Sequence, residues 1–151
     1  MPGFSSTRTI LVDAPASSIL PLLTDFRAWV QWSPWEGLDP DLQRTYTGEG
    51  VGARYAWSGN NKAGQGSMTM TGIAPDRVEV DLVFEKPFKA TNQVVFELEP
   101  RDEQTEVAWS MTGERNLVFA VMGKLYFDKA IRKDFDKGLA ALKVAAEAAA
   151  R

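Results

Sequence analysis

Between residues 41 and 113 apolar and polar side chains alternate with period two, and turn residues interrupt the alternation at short intervals. Val78, Val80, Leu82 and Phe84 fall on one side of a segment whose other side is Arg77, Glu79, Asp81 and Glu85. Val94, Phe96 and Leu98 oppose Gln93, Glu97 and Glu99, and Thr105, Val107, Trp109 and Met111 oppose Gln104, Glu106 and Ser110. Tyr55 with Trp57, and Met68 with Met70, repeat the pattern more weakly. Strands with one apolar and one polar face describe an antiparallel sheet packed on one side. Such a sheet needs a cover, and only the C-terminal segment, residues 116–149, is long enough to supply one. There Phe127, Ile131, Phe135, Leu139 and Leu142 form a stripe at helical spacing. Extended backwards, that stripe meets Lys124 and Asp128, so the helix either kinks near Gly123, the favoured reading, or pairs those two charges beneath it.

Residues 7–12 read as a first strand. Asp13 then reads as an N-cap, Pro15 as part of a first helical turn, and Ile19, Leu22, Leu23 and Phe26 as the apolar side of a short helix that Pro21 divides in two. Pro34 ends the helical reading. The order is strand, helical pair, six strands, long helix: an α+β chain forming one domain over residues 1–151.

The sequence has no cysteine and no histidine. Disulfides, thiol nucleophiles, Ser-His-Asp triads and His- or Cys-ligated metals are thereby excluded, and no metal or cofactor is expected. A net charge of −3 and a pI near 5.0 argue against nucleic-acid binding through phosphate neutralisation. The apolar run at residues 117–122 falls far short of the roughly 20 residues that span a bilayer, and the N-terminus lacks the apolar core of a signal peptide. A soluble cytoplasmic protein without a membrane span is expected.

Several motifs then occur in order: Ala14-Pro15 after the first strand, Trp32-Ser33-Pro34-Trp35, Leu38-Asp39-Pro40, Gly64-Gln65-Gly66-Ser67-Met68, Glu85-Lys86-Pro87-Phe88, Thr105-Glu106-Val107-Ala108-Trp109, and the run from Phe135 through Gly138 to Lys143. In this order they resemble the START-like, or SRPBCC, superfamily, and within it the polyketide cyclase/dehydrase and lipid-transport family. The resemblance implies a helix-grip fold. A curved seven-stranded antiparallel sheet would wrap a long C-terminal helix, with two short helices after the first strand. It also implies an elongated cavity between sheet and helix for a lipid, sterol or polyketide-like molecule, with cyclisation or dehydration in a minority of members.

Candidate ligand-binding residues are those of the apolar strand faces: Tyr55, Trp57, Met68, Met70, Phe84, Phe96, Trp109 and Met111. Each taken alone is as readily explained by ordinary core packing. Three of the five methionines lie on these faces, and an unbranched, polarizable side chain suits an adaptable wall. Trp35 is placed at a pocket rim, while Trp29 and Trp32 read as anchors of the loop before the sheet. Arg8 and Arg54 sit in strands; Arg8 shares a face with Ile10 and Val12, from which it would polarise a carbonyl or grip a carboxylate. Met122 belongs to residues 117–126, whose apolar side chains cover every side of a helix, as gate, lining or homodimer surface. Asp25, Asp39 and Asp41 are explained by capping and turns, and Gly48-Glu49-Gly50-Val51-Gly52 by a hairpin. No catalytic residue is assigned. The main expectation is a binder of a small hydrophobic ligand, with a cyclase or dehydratase and a protein-interaction module as alternatives.

Overall fold

A computed structural model of the chain describes residues 3–34, 40–60, 64–86, 89–114 and 117–150, with the side chains of 3–5, 114 and 117–131 outside that description. The strands are β1 (Gly3–Val12), β2 (Gln43–Thr47), β3 (Arg54–Ser58), β4 (Gln65–Ala74), β5 (Arg77–Lys86), β6 (Ala90–Arg101) and β7 (Gln104–Glu114). Helix α1 (Ala16–Thr24) and a 3-10 helix (Phe26–Gln31) follow β1, and α2 (Leu117–Ala149) closes the chain. The seven strands form one antiparallel sheet in the order β1-β7-β6-β5-β4-β3-β2. Consecutive strands from β2 to β7 are neighbours, and β1 joins at the β7 edge. Register shifts in the β4–β5 ladder at Gln65/Gly66 and Met70/Gly72 bend the sheet, and the architecture is the curved, helix-gripping α+β fold.

The period-two pattern becomes burial in the expected sense. Val78, Val80 and Leu82 of β5, Val94, Phe96 and Leu98 of β6, and Val107, Trp109 and Met111 of β7 are buried, while the intervening residues are more exposed. Phe135, Leu139, Leu142 and Ala146 bury the described face of α2 against them. Gly138 sets how near the helix comes. A Cβ there would lie 2.8 Å from Pro34 Cδ and 2.9 Å from Trp109 Cζ3. At β1, Arg8 pairs with Asp136 of α2, and the Asp13 backbone N–H donates to Glu147 Oε2 at 2.8 Å, so the edge strand and the helix are tied at two points.

Two local expectations are corrected. Asp13 does not cap α1. Pro15 takes that position with φ −74° and ψ 160°, and its carbonyl accepts from Ser18 N at 3.0 Å, since a proline's fixed φ suits the cap and costs no donor. Nor does Pro21 divide the helix. It lies inside α1, where Ile19, Leu22 and Leu23 are buried on both sides of it, and the break comes at extended Asp25, whose Oδ1 accepts from Arg27 N at 2.9 Å. Trp29 and Trp32 are anchors. Their indole N–H groups donate to the carbonyls of Leu23 (2.9 Å) and Leu22 (2.8 Å), which are left open at the end of α1. The alternatives at Gly123, with Lys124 and Asp128, concern side chains outside the described residues.

Candidate functional site

Strand register lines the inward residues up in rungs across the sheet. Arg8, Trp109, Phe96 and Val78 form one rung; Ser6, Met111, Val94, Val80 and Met70 the next. The third runs through Gly113, Asn92, Leu82, Met68, Tyr55 and Tyr46, and the fourth through Ala90, Phe84, Gly66 and Trp57. The first rung is closed by aromatic packing. Trp109 stacks on Phe135 of α2 with ring centroids 4.1 Å apart and on Phe96 at 5.2 Å, and Trp32 meets it edge-on at 5.5 Å. Phe96 also takes the edges of Trp29 and Trp32 at 5.8 and 5.7 Å.

Burial falls away toward the fourth rung. Met111, Met70, Met68 and Tyr55 are buried, whereas Trp57 and Phe84 are only partly so and meet edge to face at 5.9 Å. Gly66 lies beneath Trp57, with no room for a side chain. A Cβ there would stand 2.4 Å from Val83 O and 2.7 Å from the Trp57 ring. The expected site residues therefore share one face but not one environment. Phe96 and Trp109 are wedged among other rings in the closed core, Met68, Met70, Met111 and Tyr55 are buried in the middle, and Trp57 with Phe84 is partly buried against that core. Trp35, Phe88, Met122 and the apolar run 117–126 are outside the residues whose side chains are described.

Arg8 lies on the expected face of β1, but its guanidinium is not available to a ligand. Nε donates to Asp136 Oδ1 at 2.8 Å and Nη2 to Oδ2 at 3.0 Å, and that hydrogen bond, with the carboxylate's charge, raises the Arg8 pKa above its usual value. The carboxylate it grips belongs to this chain. Arg54 is exposed, because Tyr55 and Trp57 take the inward positions of β3.

Two features were not singled out from sequence. One is a cleft of about 240 Å³ between the end of α1 and the β2–β3 hairpin, reached by Asp25, Arg27, Tyr46, Glu49 and Arg54. Arg27 stands over the Tyr46 ring at 4.8 Å, and charges of both signs line the cleft. Its volume is below the roughly 300 Å³ at which small-molecule sites begin. Its signal would have been the glycines at 48, 50 and 52, all at positive φ, which let the hairpin turn back toward the 3-10 helix. The other is Asn92, a polar residue in phase with Val94, Phe96 and Leu98 and 3% exposed. Among the described residues, no group of three or more potential metal ligands is gathered, and no helix is long and apolar enough to cross a membrane.

A profile of family sequences described as polyketide cyclase / dehydrase and lipid transport matches residues 3–147. The chain belongs to this family. Its fold is shared with solved structures of low sequence identity. A protein from Thermus thermophilus is 16% identical with a TM-score of 0.72, over 98% of this chain and 100% of the other. A Chromobacterium violaceum protein is 13% identical with a TM-score of 0.69, over 95% and 96%. A protein from Colwellia psychrerythraea described as an Aha1 dimer is 20% identical with a TM-score of 0.66, also over 95% and 96%. No curated protein matches the sequence.

Proposed function

We propose that the protein binds a small hydrophobic or amphipathic molecule, of lipid, sterol or polyketide-like chemistry, on the inner face of the sheet beneath α2. The observation that carries this reading is the gradient along the face: an aromatic block closed at Trp109, then Met111, Met70 and Met68, then the partly buried Trp57–Phe84 pair. Methionines adapt to the shape of an apolar guest, and the ring pair offers an edge over which it enters. Burial at roughly 25 cal/mol per Å² of apolar surface supplies the affinity. A cyclase or dehydratase acting in the same place would need an acid–base or polarising group. Among the described residues the buried polar side chains are Ser6, Asn92 and Thr105, none of them charged, so binding is the reading this face supports best.

The test is native mass spectrometry of the protein purified from its own source, followed by organic extraction. A stoichiometric adduct of a few hundred daltons that leaves on extraction supports the proposal. A protein that stays ligand-free from that source and takes up no member of a lipid and aromatic-ketone library overturns it. A homodimer through residues 117–126 is the second reading. The run is apolar on every side, and the Colwellia psychrerythraea neighbour is described as a dimer. Light scattering that returns a monomer mass across the accessible concentration range rejects it.

A further inference from the structure

The cleft between the end of α1 and the β2–β3 hairpin has an apolar floor and a charged rim. Phe26 and Ala53 are buried beneath it and Tyr46 is partly buried. Tyr46 is held in place by stacking on Tyr55, with ring centroids 5.0 Å apart and planes 13° from parallel. On the rim stand two cations, Arg27 and Arg54, and two carboxylates, Asp25 and Glu49. Opposite charges lining one small cavity could neutralise one another across it. Here none of the four forms an ion pair among the described residues. Arg27 is steadied over the Tyr46 ring at 4.8 Å. Of Asp25 one oxygen is engaged, Oδ1 accepting from the Arg27 backbone N–H at 2.9 Å, and Oδ2 is left over. Charges that do not cancel one another keep their field for a guest, and a concave wall concentrates it.

We propose that this cleft is a second binding site, which takes a small zwitterion of the α-amino-acid type. Its carboxylate would meet Arg27 and Arg54, its ammonium Glu49 and Asp25 Oδ2, and its side chain the floor of Phe26, Tyr46 and Ala53. The proposal does not depend on a guest beneath α2. Size and charge both select the class. At about 240 Å³ the cleft is too small for a lipid- or polyketide-like molecule, whose pockets begin at roughly 300 Å³, and suits a guest of a few heavy atoms. A lone anion would gain from the two guanidinium groups but face two carboxylates, and a lone cation would meet the reverse. A neutral guest would strip water from four charges and return nothing to them. Only a molecule carrying both signs satisfies both pairs.

The experiment uses the full chain, isotope-labelled at its backbone amides, and three probes: leucine, isocaproate (leucine without its ammonium) and isoamylamine (leucine without its carboxylate). Binding is read by nuclear magnetic resonance from the amide signals of Gly48 and Gly50, which lie in the hairpin wall of the cleft. Leucine is expected to move both signals to saturation, about tenfold more tightly than either singly charged probe, the worth of one charge-assisted hydrogen bond. Arg54→Met is expected to weaken leucine about tenfold and leave isoamylamine bound at least as well as before. Glu49→Gln should do the converse, weakening leucine and tightening isocaproate. Both side chains are exposed, and a reversed probe preference is a result that loss of folding cannot imitate. No saturable shift with any probe, a singly charged probe that binds as tightly as leucine, or leucine affinity unchanged in both variants overturns the proposal.

Discussion

Arg8 and Asp136 meet as a two-point ion pair, Nε to Oδ1 at 2.8 Å and Nη2 to Oδ2 at 3.0 Å, and through it the edge strand β1 holds the C-terminal helix. Both side chains remain about half exposed, at 41% and 50%, so solvent screens the pair. Its value is in position: with the Asp13–Glu147 contact it fixes where along β1 the helix lies.

The first prediction concerns that pair. The Arg8 pKa is raised in the folded protein by its hydrogen bond to Asp136 and by that carboxylate's charge. A base with a raised folded pKa contributes stability that is complete below its unfolded pKa and lost only as pH climbs through the folded one. For an arginine that window is strongly alkaline. Arg8→Met should therefore lower the urea midpoint slightly, by the same amount at pH 7 and pH 9, and the loss should shrink in high salt. A loss that disappears between those two pH values contradicts the assignment.

Gly138 is a helix glycine whose replacement should destabilise. In an open helix Gly→Ala gains about 1 kcal/mol. Here the new methyl would press on the Pro34 ring at 2.8 Å and the Trp109 ring at 2.9 Å, neither of which can swing aside cheaply. Overpacking of this kind costs about 1–3 kcal/mol, so a net loss of about 1 kcal/mol is expected. Urea unfolding, with near-ultraviolet circular dichroism to follow Trp109, measures it.

Phe135 lies flat on Trp109, with ring planes 7° apart, and is fully buried. Phe135→Ala should cost about 3–5 kcal/mol, and Phe135→Leu clearly less, because leucine refills most of the space. Equal losses in chemical denaturation would show that the stacked geometry, rather than volume, holds helix to sheet.

Thr105→Val removes the hydroxyl that satisfies Ala14 O at the β1–α1 junction. Stranding a buried carbonyl should cost about 1–3 kcal/mol, and Thr105→Ser should recover part of it. Calorimetric midpoints decide this.

Much of the fold was legible because the sheet is one-sided. Val78 to Phe84 and Val94 to Leu98 could alternate as they do only with one face covered, and Phe135, Leu139 and Leu142 are the cover. What sequence could not tell was which neighbour an inward side chain meets. Arg8 was placed on the correct face, but its partner is 128 residues away, and no local spacing announces Asp136. Phe96 and Trp109 belong to the expected apolar set, yet only the register brings Trp29, Trp32 and Phe135 onto them. Asn92 was not singled out, although it falls in phase with Val94, Phe96 and Leu98, and its burial at 3% exposed emerges only from the packed sheet. The cap at Pro15 and the break at Asp25 were misplaced because burial of Ile19, Leu22 and Leu23 carries α1 through Pro21.

The central claim is that the sheet face between the Trp109 block and the Trp57–Phe84 pair receives a hydrophobic guest. The most direct measurement is nuclear magnetic resonance of the protein labelled at its methionine methyl groups, titrated with naphthol. The account predicts that the Met68, Met70 and Met111 signals shift together and saturate at one equivalent. Saturating binding that leaves all three unmoved, or no binding by naphthol or any member of a lipid and aromatic-ketone library, would contradict it.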